Sequence, residues 1–415
     1  MFNRLEGFSN FSIKAVFLTF SSLASINAGA LTIDTDWVPD DIVVSNPDTS
    51  MPDPEFDPVT GYVAWQFGPN SRVASGRLLV AIIDSTSGEL LDPINGLPLQ
   101  SGGRGLEVDR DLVSRDLTKN GPEFAFAQGG SRLLYTRFNE ANEPSLAQAE
   151  FDGTEWLPEL LAAGQNRITP EGSKDLDDNS PRVAYFGFAQ GGSNRQLGVR
   201  IINLPFTERI APIEIDAASF MPNESALLTT AVTQGGLRQV FYYDYDQDLI
   251  TQITNDPSAK LKSPEPWSAP EIGGNTLFAM GVRNQAGESL ARVYYRDEQE
   301  VWRIMMEIRS PDRVKPYIST PVPFVYEGVS YIVFRTQVNP EQRLASDIWV
   351  VNAAKNPQNR VYRKINADAD TSRYDQEVYI TDSGPVVYYT EIADGQQRIR
   401  LCRTGILPQQ ALDPL

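Results

Sequence analysis

Histidine is absent from the 415 residues of this chain, and cysteine occurs once, at Cys402. Without histidine, the chain cannot supply a Ser-His-Asp or Cys-His catalytic arrangement, and it cannot bind a metal through imidazole. A single cysteine cannot form an internal disulfide, and the sequence has no CxxC pair for a structural zinc site. Any chemistry must therefore rely on carboxylates, tyrosine, lysine, arginine or a hard cation.

Helical periodicity is also missing, because no stretch of twelve residues repeats its apolar positions at the spacing of a helix. The apolar stretch "AVFLTFSSLASI" near the N-terminus is too short to span a membrane. It follows Arg4 and Lys14 and precedes small residues that end at Ala30, so we expect residues 1–30 to be a secretory signal peptide. The sequence thus predicts a mature chain that is periplasmic or secreted and does not insert into the membrane.

Basic residues are few relative to acidic ones, 36 against 54, and the formal net charge is −18 at pH 7. A uniformly acidic protein repels nucleic acid and anionic membrane surfaces. The charge therefore argues against a nucleic-acid partner. An unidentified protein or carbohydrate ligand is compatible with it, and the charge favours neither.

The sequence instead contains repeats. The phrase "FAQGG" occurs at residues 126–130 and again at 188–192. Around these phrases we find seven related units, each with a polar opening that often ends in proline, an apolar strand, a glycine-containing turn and a second apolar strand. A third strand and usually a fourth follow, with turn residues between them. Long-range repetition of such a unit is the signature of a repeat architecture.

Four strands per unit, at roughly 40–50 residues, is the spacing of propeller blades. The sequence predicts an all-β, seven-bladed β-propeller that forms a single domain over residues 31–415. The predicted blades span roughly residues 51–94, 120–161, 178–214, 215–257, 262–309, 314–366 and 373–407. The last unit lacks its fourth strand, so we expect part of residues 31–45 to complete it and close the ring.

The segment from Asn95 to Lys119 is too long for an ordinary connection between blades. Its aspartates and arginines alternate, which suggests a loop that folds on itself or over one face of the propeller. The alternative is a solvated insertion.

Several units resemble the blades of TolB-like propellers. "SDIWVVNA" (Ser346 to Ala353) is similar to the third strand of such blades, and "LITQITNDPSAKLKSPEPWS" (Leu249 to Ser268) resembles their link from one blade to the next. The resemblance covers essentially the whole mature chain. It implies the propeller fold and leaves the function open.

Candidate functional residues follow from this fold, because the innermost strands of a propeller begin around a central channel where loops converge. The expected ligand-binding residues are Glu55, Glu123, Lys262, Glu265, Trp267, Arg373, Asp375 and Glu377. Such a ring could bind a cation through its carboxylates, or an acidic or hydroxylated ligand through its basic residues. It could also simply pair its own charges.

No cofactor is expected, with calcium as the one possible exception. "DYDQD" (Asp244 to Asp248) and "DADTS" (Asp368 to Ser372) carry oxygen ligands at alternate positions. Both lack the glycine and the glutamate that complete a calcium-binding EF-hand loop. The simpler interpretation is that each stretch forms a turn.

Two functions are compatible with the sequence. The first is a non-catalytic scaffold that binds a ligand or a protein. The alternative is a carbohydrate-active enzyme, a polysaccharide lyase or glycoside hydrolase, that uses the channel face. For the enzyme the candidate catalytic residues are Tyr317 with Arg182 or Lys315, and Glu123 and Glu265 are a further candidate acid/base pair. Propeller lyases usually use a histidine and a tyrosine, and only the tyrosine is available here.

Overall fold

The computed structural model describes residues 38–46, 51, 54–67, 76–112, 122–126, 130–138, 144–162, 167–174, 180–188, 195–202, 204, 207–214, 217–257, 259–284, 287–339, 345–353, 356–368, 370–393 and 395–406. The expected signal peptide lies outside these residues. Within them no helix is long and apolar enough to cross a bilayer.

The described residues form seven small antiparallel sheets, which confirms the predicted seven-bladed β-propeller. Apart from β1 (Asp41–Val43), which belongs to blade 7, the strands follow the blades in chain order. Blade 1 contains β2 (Glu55–Phe56), β3 (Tyr62–Phe67), β4 (Gly76–Ile83), β5 (Leu90–Leu91) and β6 (Leu106–Leu112). Blade 2 contains β7 (Glu123–Ala125), β8 (Arg132–Phe138), β9 (Pro144–Phe151) and β10 (Trp156–Ala162). Blade 3 contains β11 (Arg167–Gly172), β12 (Arg182–Phe188), β13 (Arg195–Ile201) and β14 (Arg209–Glu214).

The remaining blades keep the same order from the axis outward. Blade 4 contains β15 (Ala218–Phe220), β16 (Ala226–Val232), β17 (Arg238–Asp244) and β18 (Leu249–Gln252), and blade 5 contains β19 (Ala259–Ala269), β20 (Asn275–Asn284), β21 (Ser289–Arg296) and β22 (Trp302–Ile308). Blade 6 contains β23 (Tyr317–Tyr326), β24 (Val329–Gln337), β25 (Ser346–Asn352) and β26 (Tyr362–Lys364). Blade 7 contains β27 (Ser372–Thr381), β28 (Gly384–Ala393) and β29 (Gln396–Arg403), together with β1. The described residues also include three 3₁₀ turns, Leu99–Ser101, Pro270–Ile272 and Pro357–Asn359.

The hydrophobic core is divided into layers between neighbouring blades. The second strand of each blade is covered on both faces, and β28 accordingly buries eight consecutive residues. This double burial explains why such strands read as continuous apolar runs rather than alternating patterns. Between blades 1 and 7, for example, Trp65 and Leu79 pack with Tyr388 and Leu401. Burying one such large side chain stabilises the fold by about 1.5–3 kcal/mol.

The ring closes through the N-terminal strand, as predicted. β1 pairs with β29 as the outermost strand of blade 7, with Asp41 opposite Cys402. The side chain of Asp41 also forms an ion pair with Arg400 (Nε to Oδ2, 3.2 Å). One terminus therefore completes a blade that the other terminus begins, so this blade does not end at β29.

The third blade begins earlier than expected, at Arg167 rather than near residue 178. The first "FAQGG" phrase therefore starts after the innermost strand β7, whereas the second starts at Phe188, the last residue of the second strand β12. The two phrases therefore do not occupy the same place in a blade. The true innermost strand, "RITPEG", contains proline and glycine and has only one aliphatic residue, so its pattern is weak.

The long segment after residue 95 begins as a partly exposed loop that folds on itself, with the amide of Gly103 donating a 3.2 Å hydrogen bond to the carbonyl of Pro98. It then continues into a strand. Residues 106–112 form β6, which pairs with β4 and extends the first blade. Asp109 is buried there and accepts a 2.6 Å hydrogen bond from the hydroxyl of Tyr135 in blade 2. The segment thus joins two blades, while residues 113–119 lie outside the described part of the chain.

Candidate functional site

Five glutamates from five different blades converge on the central channel. They line one cavity of about 370 Å³ together with Lys174 and Ser219. Each lies on the innermost strand of its blade, and the five are Glu55, Glu123, Glu171, Glu265 and Glu377. We call these residues the glutamate ring.

Local backbone irregularities place three members of the glutamate ring. The pairing register of β11 shifts between Ile168 and Glu171, and that of β27 shifts between Tyr374 and Glu377. A third shift precedes Glu265 in β19. Because a bulge inserts a residue and re-aims the side chains that follow, these breaks set the direction of the three glutamates.

Lys174 is the cation described beside the glutamate ring. Its Nζ lies 3.4 Å from Glu123 Oε2 and donates a 3.0 Å hydrogen bond to the carbonyl of Phe124. Burial lowers the pKa of Lys174, but the surrounding carboxylates, led by Glu123 and Glu171, raise it by more. The lysine therefore stays charged. Its side chain keeps 41% of its surface exposed, so water reaches it.

The glutamates repel one another. Burial, followed by the charge of Glu123, raises the pKa of Glu265 to about 8. Burial likewise raises the pKa of Glu171, with Glu123 as the next cause, and that of Glu377, with Asp375 as the next cause. Because the pKa of Glu265 is raised to about 8, this member of the glutamate ring holds its proton at neutral pH.

Some of the predicted ligand-binding residues line the channel cavity, and others are buried between blades. The structure brings Glu55, Glu123, Glu265 and Glu377 together, and Asp375 lies close enough to influence Glu377. The backbone of Lys262 pairs with Gly281 in the sheet, whereas its side chain lies outside the described residues.

Two of the predicted ligand-binding residues are instead buried structural residues, which corrects the expectation. Arg373 has no exposed surface and donates hydrogen bonds to the carbonyls of Ser346 and Ala367. Trp267 is 7% exposed, and its Nε1 donates a 3.0 Å hydrogen bond to Ser330 Oγ. Neither side chain can stack on or grip a ligand, because neighbouring blades cover it.

The predicted catalytic residues do not converge. Tyr317 lines a cleft of about 420 Å³ with Arg309 and Arg313. Lys315 is held in an ion pair with the buried Asp347 (Nζ to Oδ2, 2.8 Å). Arg182 lines a different cleft, which shares no residue with that of Tyr317. Tyr317 begins an innermost strand and Arg182 begins an antiparallel second strand, so they lie toward opposite faces of the ring.

The cleft around Arg182 adjoins the channel. It has a volume of about 370 Å³, and Lys174 lines both this cleft and the channel cavity. The guanidinium of Arg182 lies 5.1 Å from the ring centroid of Tyr245. Phe220 and Pro266 contribute apolar walls. We call this the Arg182 cleft.

Sequence reasoning missed Glu171 and Lys174. Both belong to "ITPEGSK", which the predicted blade boundary at residue 178 excluded. The available signal was the glutamate itself, since four other units also carry one on the strand nearest the axis. A search that aligned the units on that glutamate would have found it.

The acidic stretch "DYDQD" forms a turn. The backbone amides of Asp246 and Gln247 donate hydrogen bonds to Asp244 Oδ1 at 3.0 and 2.8 Å, between strands β17 and β18. In the part of the chain that the structure describes, no three acidic or cysteine side chains are grouped in a way that could hold a metal ion. Calcium binding stays a prediction.

No protein-family model and no curated protein matches this sequence. The fold is similar to a solved oligogalacturonate lyase in complex with manganese, with a TM-score of 0.56 and 8% identity over 91% of this chain and 95% of that chain. It is also similar to prolyl oligopeptidase B from Galerina marginata, with a TM-score of 0.50 and 12% identity over 83% of this chain and 46% of that chain.

A putative TolB from Agrobacterium tumefaciens matches with a TM-score of 0.36 and 13% identity over 62% of this chain and 80% of that chain. That score is too low to support an argument about function. At such low identities these similarities show a propeller fold and nothing about activity. The TolB-like family assignment stays a prediction.

Proposed function

We propose that the protein is an exported, non-catalytic binding scaffold and that its ligand occupies the Arg182 cleft at the edge of the channel. One observation carries the proposal: Lys174 belongs to both cavities and links an aromatic, cationic cleft to the glutamate ring. Cationic and aromatic side chains together suit a ligand with acidic or hydroxyl groups.

The distribution of charged groups also favours binding over catalysis. The candidate catalytic residues Tyr317 and Arg182 lie in separate clefts, and Lys315 is engaged by Asp347. A general acid and base must both reach the reacting atoms, so residues in separate clefts cannot cooperate on one bond.

Thermal unfolding of residues 31–415 tests the proposal. The probes are uronic-acid oligosaccharides, neutral oligosaccharides and acidic peptides. A ligand at a hundred times its Kd adds about 2.7 kcal/mol to the free energy of unfolding, which shifts the midpoint visibly. We expect Arg182→Ala to abolish the shift. Arg309→Ala is the matched control, because Arg309 lines the other cleft and its side chain is 60% exposed.

Export is a separate part of the proposal. It is supported by the basic start, the apolar stretch and the small residues that end at Ala30. N-terminal sequencing of the protein from the periplasm or medium should give Leu31 as the first residue. A protein that stays in the cytoplasm with Met1 intact would contradict it.

A second candidate is a carbohydrate-active enzyme, and the raised pKa of Glu265, about 8, favours it. A carboxyl that keeps its proton at neutral pH can act as a general acid. Glu123 lines the same cavity and could act as its partner. This alternative predicts product from a polysaccharide, lost in Glu265→Gln.

A further inference from the structure

The face of blade 3 that packs against blade 2 holds two arginines and a tyrosine. Arg167 lies opposite Gly187, Tyr185 opposite Gly198, and Arg200 opposite Val183. Paired residues of antiparallel strands point to the same face, and positions two apart on a strand share a face. The three side chains therefore project from one side of the sheet.

That side is closed by the second blade. Val183 and Tyr185 pack with Leu134 and Leu146 of blade 2 in one apolar cluster. Arg200 is 3% exposed and Arg167 is 8% exposed, so both guanidinium groups lie in the interior. Such deep burial of arginine is unusual unless the charge is paired.

Only one carboxylate is paired with these arginines in the described part of the chain. Arg167 Nη2 lies 2.5 Å from Glu208 Oε1, and its guanidinium lies 5.1 Å from the ring centroid of Tyr185. Arg200 forms no ion pair with any described residue. Among the described residues, the two arginines thus have one paired carboxylate between them.

Three donors at this interface have no hydrogen-bond partner among the described residues. They are Arg167 Nη1, Arg200 Nε and the hydroxyl of Tyr185, and all three atoms are buried. Buried donors are normally satisfied, because leaving one without a partner sacrifices the hydrogen bond it makes with water in the unfolded chain.

The unpaired charge cannot be removed by deprotonation. Burial, and then the charge of Arg167, lower the pKa of Arg200, so the two cations act on each other. Arginine nevertheless keeps its proton in proteins. A buried cation that cannot be neutralised needs a counter-charge from outside the pairs described above.

We propose that the interface between blades 2 and 3 contains a buried binding site for a small monovalent anion, with Arg200, Arg167 and Tyr185 as its donors. A single negative charge balances the two guanidinium groups and Glu208. The deep burial restricts the ligand to a compact anion, either a halide such as chloride or a small carboxylate such as formate. The anion would link the two blades. This inference does not depend on the proposed function.

Thermal unfolding in different sodium salts at one ionic strength tests the site. We expect the midpoint to rise as chloride, bromide or formate replaces gluconate between about 1 mM and about 100 mM, because only a compact anion can enter. Chloride and formate are titrated separately, and the one that saturates at the lower concentration identifies the preferred class. Arg200→Met should abolish the dependence, whereas Arg110→Met, whose side chain is 72% exposed, should keep it.

A second measurement covers the case in which Arg200→Met does not fold. Crystals of the unmodified protein in bromide should show an anomalous peak within hydrogen-bond distance of Arg200. The proposal is overturned if the wild-type midpoint is the same in chloride, formate and gluconate. It is equally overturned if the bromide crystals show only water at this position.

Discussion

Tyr389 donates a 2.5 Å hydrogen bond to Asp41, a residue 348 positions earlier in the chain. Asp41 lies on β1 and Tyr389 on β28, so the bond ties the N-terminal strand to the interior of blade 7. Arg400 pairs with Asp41 and with Glu391 Oε2 (3.1 Å), which extends the network inward. The closure of the ring thus combines backbone pairing with buried charged groups.

Asp41→Asn should therefore destabilise the fold. It weakens the hydrogen bond from Tyr389 and removes one partner of Arg400, in a place where Asp41 is only 5% exposed. We expect a loss of about 1–3 kcal/mol in the free energy of unfolding, measured by urea denaturation. Asp40→Asn is the control, because Asp40 is exposed. Equal stability of the two variants would contradict this account of ring closure.

The glutamate ring should make stability fall as pH rises. The pKa of Glu265 is raised to about 8 from an ordinary 4.5, so below pH 4.5 both folded and unfolded states hold the proton. Between these values the folded state holds more protons than the unfolded state, and the free energy of unfolding decreases with pH. Above about pH 8 this contribution becomes constant.

Glu265→Gln removes the titrating group and should flatten that slope. At pH 8 the variant should be more stable than the wild type by about 1–2 kcal/mol, a figure reduced because water reaches the channel. Chemical denaturation at several pH values measures the effect. The exposed Glu155→Gln should keep the wild-type slope. A wild-type protein that becomes more stable from pH 5 to pH 8 would contradict the assigned direction.

Gly198 should tolerate no side chain. A Cβ there would overlap the ring of Tyr185, which lies directly across the strand pair. Overpacking of this kind costs about 1–3 kcal/mol, so Gly198→Ala should lower the unfolding midpoint. Gly281→Ala is the matched control, since a Cβ at Gly281 meets no heavy atom within 4 Å. If both variants unfold alike, Tyr185 does not pack as described.

The hydrogen bond between Tyr135 and Asp109 should anchor β6 to blade 2. Tyr135→Phe removes this donor from the buried Asp109, which keeps a 2.8 Å hydrogen bond from the backbone amide of Arg110 and a 3.6 Å ion pair to Arg137. A buried acceptor without its donor costs about 1–3 kcal/mol. Hydrogen exchange of the β6 amides should also accelerate. Tyr295→Phe is the control, because the hydroxyl of Tyr295 makes no hydrogen bond in the described structure, and it should leave β6 protected.

The fold followed from local signals in the sequence. Strands such as "GPVVYYTEIA" in β28 combine aromatic and β-branched residues with flanking turn residues, and seven such units define the ring. The strand left over at the N-terminus predicted the closure, since the last unit lacked its fourth strand. The predicted start of blade 3 was wrong because the strand "RITPEG" has one aliphatic residue and a β-bulge, so it lacks the apolar pattern by which strands are recognised.

The candidate site followed from the sequence only in part. The convergence of four glutamates was predictable, because each occupies the innermost strand of its unit. The burial of Arg373 and Trp267 was not, because it depends on how the neighbouring blades pack over them. The separation of Tyr317 from Arg182 depends on the blade and strand that carry each residue. Because the predicted boundary of blade 3 was misplaced, Arg182 was assigned to an innermost strand, whereas it begins the second strand β12.

The most direct test of the central claim is whether the protein converts any ligand. Residues 31–415 are incubated with acidic and neutral polysaccharides, with and without calcium, and new chain ends are quantified. A binding scaffold yields no product above the level of the boiled protein. Product that disappears in Glu265→Gln but persists in the exposed Glu155→Gln would contradict the account and identify the glutamate ring as catalytic.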